Sequence, residues 1–130
     1  MNKQIIANDL TEIYIDNYLL LEKKQYKRNY NLGEITSYYL SMYKQILKIL
    51  INEVIFNNQI NLLAYKASII YIKNNIKENF CYDINVYTKE FIETYKCILK
   101  EIGKDYILKE LLKESIKDSK ENIQTKIYKK

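Results

Sequence analysis

The stretch GEITSYYLSMYKQILKILINEVIF, residues 33–56, decides the fold class of this chain. Apolar side chains recur in it at intervals of three and four, so that Tyr39, Tyr43 and Ile46 share one face of a helix. Lys44 falls on the opposite face. This spacing predicts an amphipathic helix, and its broad apolar arc predicts that the helix contacts more than one neighbour.

The same periodicity extends to the rest of the chain, which has 130 residues, two glycines and no proline. The scarcity of both helix breakers favours helix nearly throughout, with Asn- and Asp-rich breaks between the elements. We therefore predict an all-α fold, a bundle of four or five antiparallel helices in which helices 2 and 3 form the central hairpin. The five helices are predicted at residues 9–27, 33–56, 59–77, from the region after Asp83 to Gly103, and from 105 towards 126.

Local signals place the ends of these helices. Asn8 or Asp9 is the predicted N-cap of helix 1, and Gly103 suits the left-handed residue that follows helix 4. A chain of this length buries enough surface for one core, so residues 1–130 are expected to form a single domain. The apolar stripe of helix 5 narrows towards its end, which predicts that residues from about 113 to 130 project or fray.

One internal similarity is visible. Residues 30–50 align with residues 82–102 at an offset of 52, with seven identities in 21 positions, among them Tyr43 with Tyr95. Four residue types fill half of the chain, so chance matches are common. The sequence alone therefore leaves open whether the chain contains a duplication.

The composition weakens the meaning of the charge. Ile, Lys, Asn and Tyr together supply 70 of the 130 residues, and all four have A/T-rich codons, which indicates an AT-rich genome. The net charge of +5 is therefore weaker evidence for a nucleic-acid partner than it would otherwise be. Arg28 is the single arginine beside 20 lysines, although arginine is the residue that best matches phosphate and guanine.

The side chains that most enzymes need are scarce. The chain has no histidine and only two cysteines, Cys81 and Cys97, which removes His-based triads and most metal sites. It also lacks a glycine-rich phosphate loop. The remaining catalytic candidates are Cys81 as a nucleophile or redox sensor and Glu53 as a buried acid or base. The favoured alternatives are a loop-edge cysteine without a role and a glutamate that lies at the helix edge or pairs with a lysine. We therefore expect no enzymatic activity, no cofactor and no metal.

The sequence offers no signal for a membrane. No apolar run in it approaches the roughly 18 residues of a membrane span. The first ten residues lack a hydrophobic signal core. We therefore expect a cytoplasmic protein with reduced cysteines and no membrane partner.

The segment EKKQYKRNYN, residues 22–31, is the densest positive cluster in the chain, and its cations alternate with tyrosines. Such cations can neutralise phosphates while the tyrosines stack on unpaired bases. Cations in the last turn of a helix also complement its dipole, so nucleic-acid binding is the second functional hypothesis. The candidate nucleic-acid-binding residues are Lys23, Lys24, Tyr26, Lys27, Arg28 and Tyr30.

Fourteen tyrosines are many for a core, because each buried hydroxyl needs a partner, and tyrosine is common at protein interfaces. AT-rich coding is the competing explanation for their number. The thin isoleucine stripe of the C-terminal helix would suit a partner helix, or a second copy of the chain in a homodimer. The candidate protein-interaction residues are Tyr38, Tyr65, Ile116, Ile123 and Ile127.

Taken together, these patterns favour a small non-catalytic helical protein that acts by protein–protein binding. The classes that fit are an inhibitor, an adaptor or an immunity-type factor of an AT-rich bacterium or its phage. The partner would be another protein, which the sequence does not identify.

Overall fold

The computed structural model describes residues 1–111 and residue 113, and in this part of the chain the regular elements are all helical. The predicted all-α bundle is confirmed. A further helix begins after Asp105, and its residues are described as far as 113, with 112 left out. The elements before it are α1 (Lys3–Tyr26), α2 (Leu32–Ile51), a 3₁₀ turn (Val54–Phe56), α3 (Leu62–Glu78) and α4 (Ile84–Lys104).

Helix α1 begins six residues earlier than the sequence predicted. Asn2, not Asn8 or Asp9, is its N-cap, and the Asn2 side chain accepts a hydrogen bond of 3.0 Å from the backbone N–H of Ile5. The early start is favourable because it carries Ile6 and Ala7 into the core.

Helix α2 ends at Ile51, five residues before the predicted end. The prediction was too long because the apolar pattern continues into residues that form the 3₁₀ turn instead of further α-helix. Phe56 of that turn is buried, so the apolar side chains beyond the helix still reach the core. Helix α3 begins after Asn61, whose side chain accepts a hydrogen bond of 3.0 Å from the backbone N–H of Ala64.

The predicted end of α4 is also corrected. Gly103 does not adopt a left-handed backbone, and α4 continues through it to Lys104. Asp105 then separates two helices, since its carboxylate accepts a hydrogen bond of 2.9 Å from the backbone N–H of Leu108 in the next one. An N-cap of the following helix therefore makes this boundary, and no glycine C-cap is needed.

The pairing of the helices differs from the prediction. The most extensive interfaces join α1 to α2 and α3 to α4, and the next join α2 to α4 and α1 to α3. The predicted central hairpin of helices 2 and 3 is therefore wrong. The ten residues 52–61 between α2 and α3 give room for this arrangement, because they pass over the end of the bundle and bury Phe56 and Ile60 on the way.

The hairpin of α1 and α2 thus lies beside the hairpin of α3 and α4, so that the first helices of the two hairpins are neighbours and so are the second helices. Within each hairpin the helices are antiparallel, since short loops join them. Between hairpins they run parallel: Tyr65, near the start of α3, hydrogen bonds to Asp9 in the first half of α1. Helical hairpins stack in this way in α-solenoids.

The offset of 52 residues reappears in the boundaries of the elements. It separates the ends of α1 and α3, the starts of α2 and α4, and the N-caps Asn31 and Asp83. Burial does not follow it: Leu32 is exposed, whereas Ile84 is buried. The two hairpins therefore match in the positions of their helix ends but differ in which side chains they bury.

The core contains both aliphatic side chains and aromatic rings. Tyr87 lies in it with 3% of its surface exposed, and its hydroxyl donates a hydrogen bond of 2.7 Å to the backbone carbonyl of Leu10. The ring of Tyr14 packs against Tyr87 at a centroid distance of 5.0 Å. In the part of the chain that is described, no helix is both long enough and apolar enough to cross a bilayer.

Candidate functional site

A groove of about 430 Å³ opens to solvent between α1 and α3, the pair with the least extensive of the four interfaces. Apolar side chains line it: Ile13 is buried, Ile69 is half-buried and Ile70 keeps 62% of its surface exposed. We call this feature the α1/α3 groove. It is the size of a typical ligand cleft.

The two sides of the α1/α3 groove carry opposite charges. On α1, Asp9, Glu12 and Asp16 lie three and four residues apart, which places their carboxylates on one face of the helix. On α3, Lys66 and Lys73 lie seven residues apart and share a face in the same way. An acidic rim and a basic rim therefore border an apolar floor.

The rims do not neutralise each other. Among the residues that the structure describes, none of these five charged side chains forms an ion pair within 4.0 Å. Glu12, Asp16, Lys66 and Lys73 are all exposed. The charges on both sides therefore remain available to a partner with the complementary pattern.

Tyr65 ties the two walls of the groove together. Its hydroxyl donates a short hydrogen bond to the Asp9 carboxylate, and burial together with that carboxylate raises the pKa of Tyr65 above its ordinary value. The sequence predicted an exposed interaction residue, but only 4% of Tyr65 is exposed. Its ring lies at the base of the groove because it packs edge-on against Phe91 at 6.1 Å.

The two catalytic candidates, Glu53 and Cys81, each contact a polar group of another residue. Glu53 is half-buried and forms an ion pair of 3.4 Å with Lys96, so it is not the isolated buried carboxylate considered above. The Cys81 thiol faces the backbone carbonyl of Asp83 at 3.7 Å. Over residues 1–111 and 113, no three His, Cys, Asp or Glu side chains come together in a way that could hold a metal ion.

The predicted basic segment lies at the opposite end of the bundle from the α2–α3 connection. Its cations Lys23, Lys24, Lys27 and Arg28 are exposed, and Tyr26 keeps 65% of its surface exposed. Tyr30 is half-buried, and the guanidinium of Arg28 lies 4.9 Å from the centre of its ring. All six predicted residues therefore lie at this end of the bundle, five of them exposed and Tyr30 half-buried.

Further aromatic rings extend this surface. The hydroxyls of Tyr18 and Tyr30 lie 3.3 Å apart, and burial and this hydrogen bond raise the pKa of Tyr18. Tyr38, a predicted interaction residue, is half-buried and packs edge-on against Tyr30 at 5.4 Å. Tyr82 is not among the residues predicted to bind a partner, but it is 54% exposed and packs against Tyr18. Its alignment with Tyr30 at the 52-residue offset was the signal that could have found it.

We call this surface the basic-aromatic end, and its members are Lys23, Lys24, Tyr26, Lys27, Arg28, Tyr30 and Tyr82. Lys27 has a left-handed backbone, with φ 50° and ψ 32°, at the C-cap of α1. Its backbone N–H and that of Arg28 both donate to the carbonyl of Glu22, which turns the chain sharply out of the helix.

The remaining predicted interaction residues, Ile116, Ile123 and Ile127, lie outside the described residues. So does most of the segment 113–130 predicted to project or fray, and with it the predicted homodimer helix. Compared with protein-family models, with curated proteins and with solved structures, the chain matches none of them.

Proposed function

We propose that this chain is a non-catalytic protein-binding protein of the inhibitor, adaptor or immunity type, and that it holds an amphipathic helix of its partner in the α1/α3 groove. The observation that carries the proposal is a pair of rims of opposite charge on either side of an apolar floor, with no ion pair to either rim from the residues that the structure describes. We further propose, from the composition, that the host is an AT-rich bacterium or its phage, and that the protein acts in the cytoplasm.

The groove defines the chemistry of the partner. An apolar stripe on the partner helix would cover Ile13, Ile69 and Ile70 and remove them from water. Basic residues on one flank of that stripe would face the acidic rim of α1, and acidic residues on the other flank would face the lysines of α3. This pattern also fixes the direction in which the helix enters.

The stacking of the hairpins supports the same conclusion. Where like helices lie side by side, the row that they form offers an extended surface, and stacked helical repeats bind their partners on such surfaces. The α1/α3 groove lies within one such row.

The expected affinity is modest. A single helix in a groove of this size buries less than the roughly 800 Å² per partner of a standard interface. A dissociation constant in the micromolar range, or a free energy of about −8 kcal/mol, is therefore the expected strength.

The proposal can be tested without knowing the natural partner. A displayed library of randomised amphipathic helices is selected against the full chain, and the enriched sequences are tested against a Glu12→Lys/Asp16→Lys variant. We expect enriched helices with an apolar stripe flanked by basic residues, and a loss of binding of about 10- to 100-fold in the variant. Both positions are exposed, so the fold should be unaffected.

A matched control is Glu78→Lys/Glu101→Lys, which changes the net charge equally on exposed sites outside the groove. This control should bind the selected helices as the unaltered chain does. Helices that bind both variants equally well, or a library that yields no helix above background, would contradict the proposal.

A further inference from the structure

We infer that the basic-aromatic end is a second binding site, separate from the α1/α3 groove, and that its ligand is single-stranded nucleic acid. The first observation is the state of its cations. Lys23, Lys24, Lys27 and Arg28 stand within six residues, all four are exposed, and none is ion-paired to a carboxylate of residues 1–111 or 113. Unpaired cations at this density bind phosphate groups, and this binding releases the counterions that surround the nucleic acid.

Three of the carboxylates at this end of the bundle are engaged or buried, and the exposed Glu78 at the end of α3 forms no ion pair within 4.0 Å among the described residues. Glu34 accepts a hydrogen bond from the backbone N–H of Asn31 in a capping box. Asp83 accepts hydrogen bonds from the first backbone N–H groups of α4. Glu22 is buried, with 8% of its surface exposed. Two of the carboxylates are therefore occupied by helix caps and a third is withdrawn from solvent, while the cations point outwards.

The aromatic rings supply the second half of the site. Tyr26 and Tyr82 are more than half exposed, and the Arg28 guanidinium lies over the Tyr30 ring. Packing against Tyr18 and Tyr38 holds Tyr30 in place, so it is a rigid platform. Exposed rings beside cations stack on successive bases, and this needs bases whose faces are open. The ligand is therefore a single strand, because a duplex hides those faces.

The number of cations sets the expected salt dependence. Four phosphate contacts to a single strand predict that the logarithm of the binding constant falls with the logarithm of the salt concentration with a slope of about −3. Stacking is sequence-tolerant, so DNA and RNA strands of different sequence should bind similarly.

The test is fluorescence anisotropy with a labelled 12-nucleotide oligo(dT), the matching oligo(U) and a 12-base-pair duplex, titrated with the full chain from about 50 to 200 mM salt. We expect both single strands to bind with the slope given above, and the duplex to bind at least tenfold more weakly. Lys23→Gln/Lys24→Gln should reduce the magnitude of the slope by about 1.4. Tyr26→Ala and Tyr82→Ala should each weaken binding about tenfold at constant slope.

The control is Lys44→Gln/Lys48→Gln, which removes the same charge from exposed positions on α2. It should leave the slope and the affinity for single strands unchanged. Three results would each overturn the inference: absence of binding at 50 mM salt, duplex binding as tight as single-strand binding, or equal losses in the Lys23/Lys24 and Lys44/Lys48 variants. Circular dichroism of each variant confirms that the helices are retained.

Discussion

Lys27 combines, at the scale of one residue, a backbone conformation that costs stability with an exposed cation of the basic-aromatic end. Among the described residues it is the non-glycine residue with a positive φ, in the position after α1 where glycine is usual. A side chain in the left-handed region costs about 1 kcal/mol relative to glycine. Lysine at this position therefore lowers the stability of the fold relative to glycine, and it supplies one of the cations of the basic-aromatic end.

We predict that Lys27→Gly raises the free energy of unfolding by about 0.5–1 kcal/mol, because glycine adopts the left-handed backbone without a steric penalty. The same variant should bind single strands with a slope smaller in magnitude by about 0.7, since one phosphate contact is lost. Urea denaturation measures the first quantity and the salt titration the second.

The control for this substitution is Lys24→Gly, which lies inside the last turns of α1. There glycine should lower the free energy of unfolding by up to about 1 kcal/mol. If both glycine substitutions changed stability in the same direction, the left-handed backbone of Lys27 would not be the source of the difference.

At the scale of the element, helix ends are set by short polar side chains. The Asn31 side chain caps α2 by accepting a hydrogen bond of 2.9 Å from the backbone N–H of Glu34, and the Glu34 carboxylate accepts one from the backbone N–H of Asn31. The sequence pattern of Asn followed three residues later by Glu announces this arrangement. The sequence prediction did not use this pattern, and the start at residue 33 that it took from the apolar spacing lies within one residue of the observed one.

We predict that Asn31→Ala lowers the free energy of unfolding by about 1 kcal/mol, because it leaves the backbone N–H of Glu34 in the first turn of α2 without its partner. Thermal or urea denaturation measures the change. Asn29→Ala is the matched control, since Asn29 is exposed in the loop and caps no helix. An equal loss in the control would show that the cap does not stabilise this helix.

Other features of the elements were beyond the reach of periodicity. The apolar pattern of α2 runs on through Val54–Phe56, and nothing in the spacing distinguishes a 3₁₀ turn from a continued helix. Amphipathic patterns also give the width of an apolar face but not the neighbour that covers it. The α1/α3 groove depends on that choice of neighbour, so Lys66 could not be placed opposite Asp9 and Glu12 from the sequence. The members of the basic-aromatic end within residues 23–30 were predicted because they are contiguous, whereas Tyr82, which the fold brings to them, was not.

At the scale of the whole molecule, the interior is rich in tyrosine, and this makes the fold sensitive to alkali. Burial raises the pKa of Tyr14 to about 12 and raises that of Tyr87 as well. In the unfolded chain both ionise near pH 10. Below pH 10 these two hydroxyls are protonated in both the folded and the unfolded state. Above pH 10 they lose their protons in the unfolded state first, so the free energy of unfolding falls as the pH rises.

We predict that the free energy of unfolding falls steeply from pH 10 to pH 12, with a buried tyrosine such as Tyr87 contributing about 1.4 kcal/mol per pH unit. Urea denaturation at pH 9, 10 and 11 measures this. Tyr87→Phe should be less stable at pH 8 by about 1 kcal/mol, because it loses the hydrogen bond to Leu10, but its stability should fall less steeply above pH 10. A Tyr87→Phe profile parallel to that of the unaltered chain would show that this hydroxyl ionises equally in both states.

The connection of residues 52–61 has a consequence for self-association. Each hairpin is held to the other by the α1–α3 and α2–α4 interfaces, and one crossing of ten residues joins them covalently. If that crossing straightened, the first hairpin of one molecule could settle on the second hairpin of another and rebuild the same interfaces without a new contact. Hairpin exchange of this kind would produce a dimer in which α1 to α4 keep the helix neighbours that they have in the single molecule.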